Sequence, residues 1–451
     1  MSHQDKFARL AALKPARAEG ARPAELRAPQ ETDALARALG AAVASNRYGE
    51  HLALRTWFSS PEFSEPAPAA LEILSRTRDE TASRRMRAAL ADPAQWLFLD
   101  TETTGLAGGT GTYAFLVGIG WWDAGGLQVE QLVLRDFTEE YSLLQELATR
   151  IAKRPVLVTF NGKSFDWPLL QSRFTMTRAI AAPRLAAHLD LLHPARALWK
   201  LRLGSVRLAE LERHVLDAPR LGWRRDHDVP SALIPQFYFD YLRGGPVAPL
   251  AGVARHNQMD LRGLAALFGK INAMLADSAG EAPEAHSVDL FGLSRYLERR
   301  GEPARANAVC TRAMESGLPA AFHPLAQRDL ALRARRSADY DTAAALWEKL
   351  LADPRDGLLA CEQLAIHHER RSRNIERAAD FARLGMRKAQ LLRGQGGSPW
   401  SSAEATARAA RLEEKFSARL ARLEQRIAGG RRKGSASLPP AKKGKEAKRV
   451  R

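Results

Sequence analysis

The sequence predicts a mixed α/β domain, a sheet flanked by helices, followed by an all-α domain. Three observations carry this reading. Short apolar runs separated by glycines begin at Gln95, a nearly continuous apolar run of strand length follows a helical pattern at residues 155–160, and from residue 287 the apolar spacing is helical throughout. A chain of 451 residues suits several domains of ordinary size and has ample apolar surface for a core.

Residues 1–90 are expected to form an Ala- and Arg-rich extension, partly disordered or helical. Pro23, Pro29, Pro61, Pro66 and Pro68 break any long helix there, and only residues 31–45 read as one. The α/β domain is assigned to residues 91–277. Residues 96–99, 115–122 and 127–134 read as three successive antiparallel strands, the last two joined by the turn signal Asp123-Ala124-Gly125-Gly126. Residues 141–151 carry helical spacing, residues 155–160 form the next strand, and helices and loops continue to a final helix over about 250–274.

A linker at 278–286 leads to a helical domain at 287–427. There Ala306, Ala343 and Ala378 recur at spacings of 37 and 35 residues, each preceded by an apolar segment, at Leu293, Leu330 and Ala365. That period is near the length of one tetratricopeptide-like helix pair, and small alanines let paired helices approach closely. An irregular helical bundle is the alternative. The last stretch, 428–451, reads as a disordered basic tail, with nine Lys or Arg against one Glu from Gly429 onward.

The formal charge of +17, from 68 basic and 51 acidic residues, favours a polyanionic partner, and nucleic acid is the first candidate. The tail holds no aromatic residue on which a base could stack, so it supplies only salt-sensitive, sequence-independent attraction. No run of eighteen apolar residues suggests a membrane span, and residues 1–10 lack a secretory pattern, so a cytoplasmic location is expected. Cys310 and Cys361 have no neighbours at metal-ligand spacing, which argues against a disulfide framework or a zinc site.

Chemistry concentrates in three acidic segments. Asp100 and Glu102 end an apolar run in Leu97-Phe-Leu-Asp100-Thr-Glu102. Side chains two apart on a strand share a face, so both carboxylates emerge together where the strand leaves the core. Asp166 follows the next strand in Phe160-Asn161-Gly162-Lys163-Ser164-Phe165-Asp166, where it opens a helix. His256 and Asp260 are four apart in Arg255-His256-Asn257-Gln258-Met259-Asp260, which places them on one helix face. Singly, each has a plain structural alternative: a solvated strand end, a helix-capping Asp, and a surface His–Asp pair.

Taken together and in this order, the segments resemble the three motifs of the DEDD superfamily of ribonuclease H-like nucleases. The run Thr159-Phe-Asn-Gly-Lys-Ser-Phe-Asp166-Trp-Pro-Leu-Leu170 is similar to the second motif of the proofreading domain in family B DNA polymerases. The chain also resembles the bacterial YprB-like proteins, over residues 95–274, a likeness that extends to Asp190-Leu-Leu-His-Pro194 and Leu208-Ala-Glu-Leu-Glu212.

The resemblance implies a ribonuclease H-like fold, and a 3′-5′ exonuclease in which Asp100, Glu102, Asp166 and Asp260 hold two divalent cations, Mg²⁺ or Mn²⁺. Hard cations take oxygen ligands of this kind. One ion would generate a nucleophile from water near neutral pH, and a second, roughly 3.5–4 Å away, would stabilise the leaving oxygen. In such nucleases a Tyr or His on the last helix orients or deprotonates the water. Three residues separate it from the final Asp in the Tyr type and four in the His type, and His256 stands at the three-residue spacing.

Thr103, Gly105, Asn161 and Lys163 are the candidate contacts to nucleic acid, with Lys163 and Arg255 flanking the motifs as alternative phosphate or solvated charges. The loop over 105–113 is Gly-rich but lacks a Gly-Lys-Ser/Thr ending, which excludes a triphosphate cradle and leaves a turn beside the metals. A non-catalytic nucleic-acid-binding module, or a scaffold whose helical domain binds a protein partner, are the rivals. The complete set of four carboxylates argues against the first.

Overall fold

The structure is a computed structural model describing residues 29–59, 67–77, 79–105, 111–220, 223, 225, 228–277, 285–395 and 403–435. Its contacts divide the chain into two units, residues 1–193 with 205–276, and residues 194–204 with 277–451.

Among the described residues the first unit begins with α1 (Pro29–Leu39), followed by β1 (Ala42–Asn46) and β2 (Gly49–Ser59). The helix expected over 31–45 therefore stops at Leu39. Gly40, at φ 64°, turns the chain, and a glycine meets that conformation without strain. Residues 42–59 are two strands of the sheet rather than part of an extension, because β2 pairs with a strand some seventy residues onward, Leu52 opposite Val133 through Ser59 opposite Gly126. Both strands are largely half-exposed, so the clean apolar alternation that marks a buried strand is missing.

There follow α2 (Pro68–Ser75), α3 (Glu80–Leu90), β3 (Trp96–Thr103), β4 (Ala114–Asp123), β5 (Gly126–Val133), α4 (Glu140–Lys153), β6 (Val156–Thr159), α5 (Asp166–Thr177), β7 (Ala187–Asp190), α6 (Leu192–Leu203), α7 (Leu208–His214), α8 (Ile234–Leu242) and α9 (Ala248–Ala276). The Asp79 side chain caps α3 by accepting from the Thr81 and Ala82 amides. The seven strands form one sheet in the order β1-β2-β5-β4-β3-β6-β7. Pairing is antiparallel from β1 to β3 and parallel from β3 through β6 to β7. The expected three-strand meander is β3-β4-β5, and this architecture is the ribonuclease H-like mixed sheet with flanking helices.

Register positions the site. β3 pairs with β6 only from Trp96 to Phe98, while it pairs with β4 as far as Thr103. Asp100 and Glu102 thus lie beyond the last β6 pair, where parallel strands end and open α/β sheets place their ligands. Trp96 and Phe98 pack edge-on against Phe268 of α9, at ring-centroid distances of 5.2 and 5.8 Å, and by the two-residue alternation Asp100 and Glu102 continue that α9-facing row.

The second unit contains most of α6, which lies inside the segment assigned to the α/β domain. Its backbone meets α10 (Ser287–Arg299) closely, since a Cβ on Gly292 would stand 2.4 Å from the Leu198 carbonyl oxygen. Then come α11 (Pro303–Glu315), α12 (His323–Arg336), α13 (Tyr340–Lys349), α14 (Gly357–Arg370), α15 (Ile375–Gln395) and α16 (Ala403–Ser435). Ala306, Ala343 and Ala378 lie in α11, α13 and α15, the second helices of three successive pairs, and are buried. Cys310 and Cys361 are buried and free. Helix α16 continues to Ser435, so the stretch expected to be a disordered tail begins as helix. Residues 436–451, and 278–284 of the expected linker, lie outside the described residues. No helix among the described residues is long and apolar enough to cross a membrane.

Candidate active site

Asp100 is placed by its own strand and by Asn257 of α9. The Asn257 amide donates to Asp100 Oδ2 at 2.7 Å, and its carbonyl oxygen accepts from Gln131 Nε2 at 2.9 Å. Gln131 also donates to the Ala254 carbonyl at 2.7 Å, so β5, α9 and β3 are joined by a buried polar chain. Asn257 is fully buried, and room for it comes from Gly118, the β4 residue opposite Asp100, where a Cβ would stand 2.0 Å from Asn257 Oδ1. Asn257 was not among the expected site residues. The available signal was a polar residue between His256 and Asp260 on a helix otherwise rich in apolar and small residues.

Asp166 opens α5, and Thr101 Oγ1 donates to its Oδ1 at 2.6 Å, linking β3 to the segment after β6. The loop between them is held by Asp190 at the end of β7. Its carboxylate accepts from the Asn161 and Lys163 amides at 2.8 and 3.1 Å and from the Leu192 amide at 3.0 Å. Asn161, at φ 69°, makes the left-handed turn that brings its amide round. Asp190 therefore serves the loop's shape, and the backbone amides of Asn161 and Lys163 are committed to it.

The acids share one electrostatic field. Burial raises the Asp100 carboxyl well above the usual carboxylate range, and Asp260, Glu102 and Asp166 raise it further. Glu102 is raised well above its usual range by burial, then by Asp260, Asp166 and Asp228. Asp166 is raised by burial, partly offset by the Thr101 hydrogen bond. Asp166 of α5 and Asp260 of α9 are thus near enough to the β3 pair, Asp100 and Glu102, to oppose its ionisation, the condition that an opposing cation relieves.

The opposing charge within the chain comes from Arg225, also not anticipated. It lies between α7 and α8, 31 residues before His256 in sequence. It forms a two-point pair with the buried Glu212 of α7, Nε to Oε2 at 2.5 Å and Nη2 to Oε1 at 2.7 Å. The same guanidinium donates to Asp260 Oδ1 and, at 3.0 Å, to Asp228 Oδ2. Burial alone would lower the Arg225 pKa, but Glu212 and Asp260 outweigh it and hold the pKa above the ordinary arginine value. His256, buried, places Nδ1 2.7 Å from Asp228 Oδ1 and Nε2 3.5 Å from Asp260 Oδ2. Asp260 and His256 thus share a face, as their spacing predicts.

The donor set has the chemistry for a hard divalent ion: oxygen ligands, burial, and mutual repulsion. With Arg225 on Asp260 and Thr101 on Asp166, among the described residues no three acidic, His or Cys side chains are drawn into position around an ion.

Of the expected nucleic-acid contacts, Thr103 donates its hydroxyl to the Gly105 carbonyl at 2.8 Å, at the mouth of the Gly-rich loop. Residues 106–110 of that loop lie outside the described residues. Lys163 and Arg255 are exposed. Phe165, immediately before Asp166, is 59% exposed, unusual for a phenylalanine.

Residues 97–272, from β3 into the last turns of α9, match the model of the RNase H superfamily. The chain is also 31% identical, over 324 residues, to a Bacillus subtilis (strain 168) protein named "Uncharacterized protein YprB", the aligned region covering 71% of this chain and 75% of that one. With this sheet order, these acids at the ends of its parallel strands and that degree of identity, the chain belongs to the YprB family and carries a nuclease-like domain of the RNase H superfamily.

Proposed function

We propose that this chain is a metal-dependent phosphodiester hydrolase acting on nucleic acid, a 3′-5′ exonuclease, with Asp100, Glu102, Asp166 and Asp260 as ligands of two Mg²⁺ or Mn²⁺ ions. The observation that carries the reading is the convergence of four acids from segments up to 160 residues apart, Glu102 buried and the other three half-buried, with Asp166 and Asp260 close enough to oppose the ionisation of Asp100 and Glu102. When bound, divalent cations would supply neutralisation of the phosphate and of the developing charge.

The chain's own groups do the rest. Asn257 holds Asp100 in one orientation, and Thr101 holds Asp166. His256 Nε2 takes a proton from the attacking water as the water oxygen forms its bond to phosphorus. The bond from phosphorus to the leaving oxygen breaks, and that oxygen takes a proton from solvent. Phe165 offers an exposed ring to a base beside Asp166, and Thr103, Gly105, Asn161 and Lys163 line the approach of the strand. The helical unit serves to bind a protein partner or guide the strand.

The test is hydrolysis of end-labelled and circular DNA and RNA with Mg²⁺ or Mn²⁺ by the wild type and by Asp100→Ala. Expected are shortening from the 3′ end, intact circles and an inactive variant. Absence of hydrolysis on every substrate, or equal activity in the variant, overturns the reading.

A further inference from the structure

The segment between α7 and α8 brings two charged residues against His256 that no motif contains, and their distances decide the state of the ring. Nδ1 lies 2.7 Å from Asp228 Oδ1, an acceptor, and 3.5 Å from Arg225 Nη1, a donor. The two make opposite demands, a proton on Nδ1 for the carboxylate and a lone pair for the guanidinium. The carboxylate contact has the length of a strong charge-assisted bond, whereas 3.5 Å is outside normal hydrogen-bond range. Arg225 Nη1 moreover has Asp228 Oδ2 at 3.0 Å to receive its proton. Nδ1 therefore carries hydrogen, and in the neutral ring the lone pair falls on Nε2. Nε2 stands 3.5 Å from Asp260 Oδ2, too far to be consumed by that contact, and so faces the acidic cluster as an acceptor.

We infer that Asp228 is a positioning residue, which fixes the ring and the tautomer of His256 so that Nε2 is presented to the attacking water. This rests on the proposed hydrolase reading and deepens it. Arg225 and Glu212 are the anchor. Glu212 holds the guanidinium at two points, and the guanidinium steadies Asp228. Glu212 reaches Arg225 across α9 where Gly263 leaves room, a Cβ there standing 2.0 Å from Glu212 Oε1. The logic is that of a carboxylate orienting a catalytic histidine from behind. It also accounts for a histidine at the spacing of the Tyr type, since the ring is oriented from outside its helix.

Two measurements on the full chain test this. In a double-mutant cycle with Mn²⁺ and an end-labelled single-stranded oligonucleotide, Asp228→Ala and His256→Ala each lower kcat by about 10²–10⁴-fold with KM little changed. Asp228→Ala adds no further loss in the His256→Ala background, and Asp228→Asn, which keeps an acceptor oxygen, recovers part of kcat. Independent losses that multiply, or an Asp228→Asn variant no better than Asp228→Ala, overturn the proposal while leaving the hydrolase reading intact.

The second measurement needs no activity. In ¹⁵N-histidine-labelled protein at mildly alkaline pH, with His256→Gln assigning the signal, His256 shows a protonated Nδ1 and an unprotonated Nε2, and Asp228→Ala shifts this pattern more than Asp228→Asn does. A wild-type ring protonated on Nε2, or a pattern unchanged in both folded variants, overturns the proposal whether or not the chain proves to be a nuclease.

Discussion

Gly118→Ala probes the support of Asp100 from the neighbouring strand, β4. The new methyl carbon would stand 2.0 Å from Asn257 Oδ1 and 2.8 Å from both Asn257 Cγ and Leu261 Cδ1, where van der Waals contact needs well over 3 Å. Leu261 can turn its terminus aside. Asn257 cannot, because it is fully buried and bonded on both sides, to Asp100 at 2.7 Å and Gln131 at 2.9 Å. Overpacking of a tight core costs about 1–3 kcal/mol. Leaving a buried partner unsatisfied adds about 1–3 kcal/mol. The expected loss is about 2–6 kcal/mol, or roughly 4–24 °C in Tm for a unit of this size. Urea denaturation and thermal melting measure it, with hydrolysis falling in parallel as Asp100 loses its orientation. Asn257→Ala removes the obstructing amide, so the double variant should be clearly more stable than the sum of the two single losses. A Gly118→Ala protein within about 0.5 kcal/mol of wild type, or strictly additive losses, would refute the packing argument.

Two further substitutions test the frame around the site. Glu140→Ala on α4 strips the buried Arg173 of α5 of its two-point partner, at 2.5 and 2.6 Å, and should cost about 3–5 kcal/mol in urea titration, most of it regained when Arg173→Met is added. No recovery in the double variant would show that the pair is not the source of the loss. His188, on β7 and 2.9 Å from Thr159 Oγ1, is pushed down to about 4 by burial and then by Lys163. In the unfolded chain it titrates near 6.5, so between these values the unfolded state binds the extra proton. The stability due to a neutral His188 is complete above pH 6.5 and is lost as pH falls toward 4, by up to about 3 kcal/mol. His188→Gln should flatten that part of the stability-against-pH curve, and parallel curves for the two proteins would refute the assignment.

The sequence was sufficient wherever the evidence for an element lies within the element. The runs that became β3, β4, β5 and β6 are apolar enough to be buried on both faces, and α4 and α9 carry their own period, so all were legible without knowledge of their neighbours. β1 and β2 were not, because half-exposed strands whose partner lies some seventy residues away take their identity from pairing. α6 was legible as part of a helical stretch, but its membership of the second unit depends on Gly292, distant in sequence.

The same division runs through the site. Asp100, Glu102, Asp166 and Asp260 could be proposed from the chain alone because their segments, each ambiguous by itself, together resemble three nuclease motifs in order. Their supports could not. Asn257 acquires a role only when Gly118 and Gln131 are brought to it, Arg225 only when Glu212, Asp228 and Asp260 converge on it, and Asp190 only when the loop after β6 closes over its carboxylate. Sequence marked which acids are proposed for chemistry. Tertiary structure alone decided how each is oriented and which cation within the chain faces them, because hydrogen bonds and ion pairs are fixed by distances that only the closed fold sets.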